Sequence, residues 1–303
     1  MKFTLKAILS LFLTAASAFP AAADVTVSSK IDTEGGVLGN IILAALDHAG
    51  IPTRDRLQLG GTPVMRQALL AGEIDIYPEY TGNAAYFFNR AEEPIWRDAD
   101  RAYETAKALD YEANKIVWLA RAPANNTWGV GLRTDVAEQN GITTFSDFAR
   151  YIREGGEVKL AAAAEFVNSA PALPAFQTAY DFTLTGEQLI VLSGGDTAAT
   201  IQAADRQTNG ANAAMIYGTD GVIAFSQLIA LEDDKHVQPI YEPTPIVREA
   251  VLEEYPEIRT VLDPIFSQLD LETLQQLNGR VQVEGAPAKD VAVEWLTEKG
   301  FLE

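Results

Sequence analysis

GGTPVMRQALLAGEIDIYPEYTGN, residues 60–83, contains a helix, a strand and a turn in one uninterrupted stretch. Apolar residues in PVMRQALLA recur at helical spacing, Thr62 offers an N-cap ahead of Pro63, and Gly72 closes the helix. The following EIDIYPEY is typical of a strand. Because proline has no N–H to donate, Pro78 predicts that strand pairing stops near that residue.

The residues before this stretch show the same alternation of elements. DVTVSSK predicts a strand, GGVLGNIILAALDHAG a helix ended by Gly50, and RLQLGG a second strand. This βαβαβ order predicts a parallel sheet with helices on its faces. Binding sites in such sheets lie at the carboxyl ends of strands. We therefore expect Tyr80 to form a pocket wall, with Tyr77 and Tyr86 packed behind it.

The second half of the chain repeats the pattern. VKLAAAAEF and ANAAMIYGTDG predict strands, and the second strand delivers Tyr217 into a Gly-Thr turn. HVQPIYEPTPIVRE contains three prolines and predicts an extended crossover, and several helices follow it. The sequence thus predicts an α/β protein with two lobes and a ligand cleft between them. Residues 24–125 with 241–303 are predicted to form lobe 1, and residues 126–240 lobe 2.

The N-terminus has the layout of a cleaved secretory signal. MKFTLKAILSLFLTAASAFPAAA has Lys2 and Lys6, an apolar run of about 12 residues and small residues in an Ala-x-Ala pattern. The run is too short to span a bilayer, which needs about 18 apolar residues. Cleavage after Ala23 would leave 280 of the 303 residues. We expect an exported, periplasmic and soluble protein; an uncleaved anchor is the alternative.

Composition excludes several classes of protein. The chain has no Cys, so disulfides, thiol chemistry and Cys-ligated metals are absent. His48 and His236 lie far apart, which gives poor support to a His-based triad or a zinc site. Loss of Lys2 and Lys6 with the signal would lower the formal net charge from −19 to −21. Such a charge argues against nucleic acid or anionic lipid as a partner. We expect neither a cofactor nor a catalytic centre.

Four aromatic residues stand at positions from which their rings could converge. Tyr80 and Tyr217 each end a strand beside Thr and Gly, and Trp128 and Tyr241 fall at the predicted lobe crossings. Rings that face one point attract a quaternary ammonium, with about 0.5–2 kcal/mol from each face. The alternative is that strand-end tyrosines only pack, and spacing alone does not decide between the two.

Several motifs resemble one family of transport proteins. SSKIDTEG, the stretch quoted above, NNTW, YGTDG and YEPTPIVRE are similar to the periplasmic glycine betaine/choline-type osmoprotectant-binding proteins of ABC transporters, in particular their YehZ/OsmF branch. The similarity runs through essentially the whole chain after the signal. It implies a type II periplasmic binding protein whose ligand lies in an aromatic cage between the lobes. It also implies an ABC permease as partner, and we expect the protein to be a monomer.

The resemblance also assigns site residues. Tyr80 matches the cage tyrosine of EYTG, Tyr217 that of YGTDG, and Tyr241 the tyrosine before PTPIVR. Trp128 stands where relatives often have Tyr after Asn-x-Thr. These four rings are the implied cage.

Four further positions are implied near the ligand carboxylate. Lys30 and Asn83 match positions that contact this group in some relatives, and Asn126 is implied in the same region. Ser169, in EFVNSAP, occupies a position where relatives commonly carry Arg. Arg offers a planar and permanently charged fork for a carboxylate. Hence we expect weak glycine betaine binding, or a ligand without that carboxylate, such as choline. Proline and carnitine are the alternative ligands.

Two other classes compete with a binding protein. A hydrolase could use Glu79 with Asp75 or Asp220 as a carboxylate pair. However, we expect Glu79, in the turn, to cap a helix or to face water. An exported adhesion module would need repeats or apolar surface patches, and neither is visible in the sequence.

Overall fold

The computed structural model describes residues 23–192 and 197–302, so the predicted signal segment, except Ala23, lies outside the described residues. The strands are β1 (Val25–Lys30), β2 (Thr53–Gly60), β3 (Ile76–Tyr80), β4 (Ile116–Trp118), β5 (Trp128–Arg133), β6 (Leu160–Ala163), β7 (Leu189–Leu192), β8 (Ala213–Tyr217), β9 (Leu228–Ala230) and β10 (Pro243–Arg248).

The helices connect and flank these strands. They are α1 (Thr33–His48), α2 (Thr62–Ala71), α3 (Ala84–Phe87), α4 (Ala99–Asn114), α5 (Thr134–Asn140), α6 (Phe145–Arg153), α7 (Ala164–Asn168), α8 (Leu173–Tyr180), α9 (Thr197–Asp205), α10 (Glu249–Glu254), α11 (Glu257–Phe266), α12 (Leu271–Gln282) and α13 (Ala288–Glu298). Across the described ranges, each helix is too short or too polar to cross a bilayer.

The strands form two five-stranded sheets with the same arrangement of directions. The first has the order β2-β1-β3-β10-β4 and the second the order β7-β6-β8-β5-β9. In the first sheet β10 runs antiparallel to its neighbours β3 and β4, and β1 pairs in parallel with β2 and β3. In the second sheet β5 alone opposes the other four strands. The prediction of two mostly parallel sheets with flanking helices is confirmed.

The chain passes between the two sheets twice. First-sheet strands come from residues 25–118 and 243–248, and second-sheet strands from residues 128–230. The two connecting segments are hydrogen-bonded to each other: Asn126 N donates to Tyr241 O at 2.9 Å, and Tyr241 N donates to Asn125 Oδ1 at 2.8 Å. The particular lobe boundaries at 125/126 and 240/241 stay a prediction.

Two local predictions for the opening stretch are wrong. Strand β3 continues past Pro78, which lies opposite Pro245 in β10. Two prolines can lie opposite each other at a non-hydrogen-bonded pair of an antiparallel sheet, because such a pair needs no N–H from either strand. In addition, Thr62 is the first residue of α2 and Gly61 is its N-cap. Both corrections leave Tyr80 at the carboxyl end of β3.

Separate apolar cores hold the two sheets. On the first sheet, α1 packs against β1, β2 and α13, and its buried face joins Val27 and Trp295 in one cluster. On the second sheet, stacked rings of Phe145 and Phe176 lie 4.2 Å apart between centroids. These cores are large enough to stabilise a chain that has no disulfide.

Candidate ligand cleft

A cavity of about 1000 Å³ is lined by residues from both sheets. All eight residues predicted for the site lie on its wall: Lys30, Tyr80, Asn83, Asn126, Trp128, Ser169, Tyr217 and Tyr241. They come from distant parts of the chain and meet here because they lie at the ends of strands, in the segments that cross between the sheets, or just after a short helix. Their individual roles in ligand binding stay a prediction.

Trp128 and Tyr217 form the wall contributed by the second sheet. Trp128 begins β5 and Tyr217 ends β8, and the two residues are direct partners in the antiparallel ladder. Partners in a ladder point to the same face of a sheet. Their rings lie 6.3 Å apart between centroids at an interplanar angle of 29°, and Phe166 supports Trp128 edge-on at 6.2 Å. Burial raises the pKa of the Tyr217 hydroxyl, which therefore stays neutral.

Tyr80 and Tyr241 form the wall on the side of the first sheet. The glycine of the EYTG motif is required here, because a Cβ at Gly82 would lie 2.7 Å from Cε1 of Tyr241 and 2.8 Å from the carbonyl oxygen of Ile240. Thr81 continues the connection, since its N donates to Glu242 O at 3.1 Å. Burial raises the pKa of both phenols, so each ring keeps its proton.

Glu79 is buried, contrary to the prediction that it caps a helix or faces water. Its carboxylate pairs with Lys30 Nζ at 2.6 Å and accepts from the Tyr77 hydroxyl at 2.8 Å. It also accepts from Asn83 Nδ2 and from Tyr80 N, each at 2.7 Å. The error arises because the partner that balances the charge of Glu79 is Lys30 on β1, 49 residues away in the sequence, and only the fold brings the two together. Tyr77 is fully buried in an apolar cluster with Trp96 and Trp118, and its role as packing support for Tyr80 stays a prediction.

The same contacts leave no carboxylate pair for hydrolysis at this strand. All four donors around Glu79 hold its two oxygens in place. Asp75 accepts from Thr26 N at 2.8 Å and pairs with Arg248. Both carboxylates therefore hold strands together, and neither is placed to take a proton from a substrate.

Lys30 already occupies one face of Tyr80. Its ammonium lies 4.2 Å from the centroid of that ring while it pairs with Glu79. A ligand cation can therefore use only the other face of Tyr80. Lys30 lies on the cavity wall, where the resemblance implied a contact with the ligand carboxylate, but its charge is already balanced by the buried carboxylate of Glu79.

Glu34 is a wall residue that the sequence analysis did not identify, and Asn278 is another. Glu34 lies in the first turn of α1, is 5% exposed, and accepts from the Tyr80 hydroxyl at 2.6 Å. Asn278 Nδ2 donates to it at 2.7 Å and Asn126 Nδ2 at 3.3 Å. Burial raises the pKa of Glu34, against the opposing effect of hydrogen bonds from Thr219, Tyr80 and Asn278. The only signal in the sequence was an acidic residue beside the SSK strand, which is also a common helix-start feature.

The position expected to carry Arg is polar but uncharged. Ser169 lies on the cavity wall directly after α7, and its N donates to Glu165 O at 2.8 Å. Among the described residues of the wall, Lys30 is the sole basic side chain, whereas Asp32, Glu34, Glu165 and Asp220 are acidic.

Tyr86 does not pack behind Tyr80 as predicted. It is 59% exposed and lies on the wall near the mouth of the cleft. It also borders a second groove of about 720 Å³ beside α2. The short α3 turns Tyr86 outward, and the sequence spacing from Tyr80 gave no sign of this.

Residues 23–298 match the family model described as the substrate-binding domain of an ABC-type glycine betaine transport system. The chain is 55% identical over 296 residues to the glycine betaine-binding protein YehZ of Escherichia coli, covering 97% of each chain. It is 32% identical over 283 residues to a glycine-betaine-binding protein of Pseudomonas aeruginosa, covering 91% of this chain and 88% of that protein.

A solved structure supports the same relationship. The structure of ligand-free YehZ from E. coli superposes with a TM-score of 0.88 at 55% sequence identity, covering 92% of this chain and 100% of that one.

Proposed function

Because this chain belongs to the family of substrate-binding domains of ABC-type glycine betaine transport systems, we propose that it captures a quaternary-ammonium solute in the aromatic cleft and delivers it to an ABC permease. Members of this family are binding components of transporters and not enzymes. The proposed ligands are compatible solutes such as glycine betaine or choline.

The observation that supports this proposal is the set of four rings on one cavity. Tyr80 and Tyr241 come from the first-sheet side, and Trp128 and Tyr217 from the second. A quaternary ammonium has no N–H to donate, so ring faces are the groups that best replace its water. Each face contributes about 0.5–2 kcal/mol. Four such faces can hold a cation without a direct ion pair.

We further propose that glycine betaine binds weakly, or that a ligand without a carboxylate is preferred. The argument rests on Ser169 in place of Arg and on Lys30, whose ammonium is paired with Glu79 at 2.6 Å. Loss of a charge-assisted hydrogen bond to a carboxylate costs about 1.5–3 kcal/mol, or about tenfold and more in affinity. Carnitine and proline are the alternative ligands. Each has a carboxylate, and the cleft offers it no more unpaired basic side chains than it offers glycine betaine.

Closure of two lobes is the proposed mechanism of capture. Residues 24–125 with 241–303 would form one lobe and residues 126–240 the other, and a ligand touching both would favour the closed form. A ligand shifts a conformational equilibrium only through such differential affinity. The permease would then recognise the closed form. We propose that the protein works as a monomer in the periplasm after cleavage near Ala23; the described residues of this one chain line the cavity from both sheets.

Calorimetric titration of the purified protein with glycine betaine, choline, carnitine and proline tests the proposal. At least one quaternary-ammonium ligand should bind at a single site. Tyr217→Ala should lower the affinity for this ligand by about 2- to 30-fold, because one ring face is lost. Tyr103→Ala is the control, since that hydroxyl donates to Leu119 O outside the cleft. Equal losses in the two variants would count against the aromatic site.

A further inference from the structure

One end of the cleft contains hydrogen-bond acceptors that the protein itself leaves unused. Asn278 is 3% exposed, and its Nδ2 donates both to Glu34 Oε2 at 2.7 Å and to Thr219 O at 2.9 Å. These two bonds fix the orientation of the amide. Asn278 Oδ1 is then a buried acceptor without a hydrogen-bond partner among the described residues.

Asn126 repeats this arrangement on the crossover segment. Its Nδ2 donates to Glu34 Oε1 at 3.3 Å, and its Oδ1 is likewise buried without a partner within the part of the chain that the structure describes. A buried acceptor left without a donor costs about 1–3 kcal/mol. Both residues lie on the cavity wall. A donor arriving with the ligand would remove this penalty.

Glu34 joins the two amides, because its carboxyl group accepts from both of them. It also accepts from the Tyr80 hydroxyl. Its ionised form is not matched by a nearby free cation, because Lys30, the basic residue of the described wall, is paired with Glu79. The wall here can thus accept hydrogen bonds and balance a positive charge, but it has little to offer an anion.

We propose that Glu34, Asn126 and Asn278 form an acceptor pole that selects a net-cationic ligand bearing a hydroxyl donor over a zwitterion bearing a carboxylate. This inference rests on the proposed function, because it assigns specificity within the same cleft. Glu34 supplies the counter-charge to the ammonium, and one of the two amide oxygens accepts the single hydrogen bond that the ligand hydroxyl can donate. A ligand carboxylate placed at this pole faces three acceptors and is repelled.

The first test uses the unmodified protein and three probes. Choline has the cation and the hydroxyl, choline methyl ether keeps the cation without the O–H, and glycine betaine carries a carboxylate instead. We expect choline to bind about tenfold or more tightly than either of the others. Choline methyl ether binding as tightly as choline, or glycine betaine binding more tightly, would overturn the acceptor pole.

The second test removes the charge and keeps the shape. E34Q should lower the affinity for choline by about tenfold or more and the affinity for glycine betaine by less than about threefold. The smaller loss for glycine betaine is expected because its carboxylate is no longer repelled by Glu34. E138Q is the matched control, because Glu138 is an exposed carboxylate on α5 that does not line the cavity. The choline-to-betaine affinity ratio should change by less than about threefold in E138Q.

The two tests separate this inference from the proposed function. If E34Q lowers the affinity for both ligands by the same factor, Glu34 only positions Tyr80 and the inference fails while the proposed function stands. If the unmodified protein binds no quaternary ammonium, both fail. Should E34Q not fold, the three-probe comparison on the unmodified protein still decides the inference.

Discussion

Replacing Lys30 by methionine is expected to destabilise the fold strongly, although Lys30 lies on the wall of a binding cleft. Its side chain is 8% exposed and that of Glu79 is fully buried, with 2.6 Å between Nζ and Oε1. Breaking a buried ion pair by removing one partner leaves an uncompensated charge and costs about 3–5 kcal/mol. Glu79 would keep its hydrogen bonds from Tyr77, Asn83 and Tyr80. We therefore expect a loss near the lower end of this range, about 3 kcal/mol.

Urea unfolding of Lys30→Met measures this loss, and Arg280→Met provides a matched control. Arg280 pairs with Glu294 at the same distance of 2.6 Å, but those side chains are 32% and 56% exposed. Exposed pairs contribute at most about 1 kcal/mol. Adding Glu79→Gln to Lys30→Met should restore part of the stability, because the buried charge is removed. If Lys30→Met and Arg280→Met lose similar, small amounts of stability, the Lys30–Glu79 pair does not behave as a buried ion pair and the prediction is refuted.

Two further predictions concern the contact of α12 with the loop after β8 and the charge of Glu34. A Cβ at Gly221 would overlap the backbone N of Gly279, so Gly221→Ala should lower the free energy of unfolding by about 1–3 kcal/mol. Gly186→Ala is the control, because a Cβ at Gly186 meets nothing within 4 Å. Equal losses of stability in the two variants would contradict the close contact between Gly221 and Gly279. Burial raises the pKa of Glu34 in the folded protein above its ordinary value of 4.5. The protonated carboxyl group therefore stabilises the fold below pH 4.5, and this stabilisation is lost as the pH rises through the pKa of the folded state. The melting temperature of E34Q relative to the unmodified protein should thus rise from pH 4.5 toward neutrality, and parallel melting curves across this range would contradict the assignment.

The strand ends and their aromatic residues could be predicted from the sequence. The alternation of helices and strands around EIDIYPEY predicts β3 and places Tyr80 at its carboxyl end, although the strand continues two residues past Pro78. The same logic located Tyr217 at the end of β8. Such features depend on residues close together in the chain, where periodicity and turn chemistry are informative.

The buried polar network could not be predicted in this way. Glu34 and Asn278 are hydrogen-bonded across 244 positions of sequence, and Lys30 and Glu79 across 49. A single sequence gives no signal that Lys30 will pair with Glu79 across this distance, so Glu79 was expected to cap a helix or to face water. The exposure of Tyr86 depends on the short helix α3, whose direction follows from packing against the rest of the first sheet. These contacts set the charge of the cleft and were visible only in the fold.

A crystal structure of the protein with choline tests the central claim most directly. The account predicts the trimethylammonium nitrogen within about 6 Å of the ring centroids of Tyr80, Trp128, Tyr217 and Tyr241. It also predicts that the choline hydroxyl points toward Glu34. A cation bound elsewhere on the chain, or one whose methyl groups face away from these rings, would contradict it.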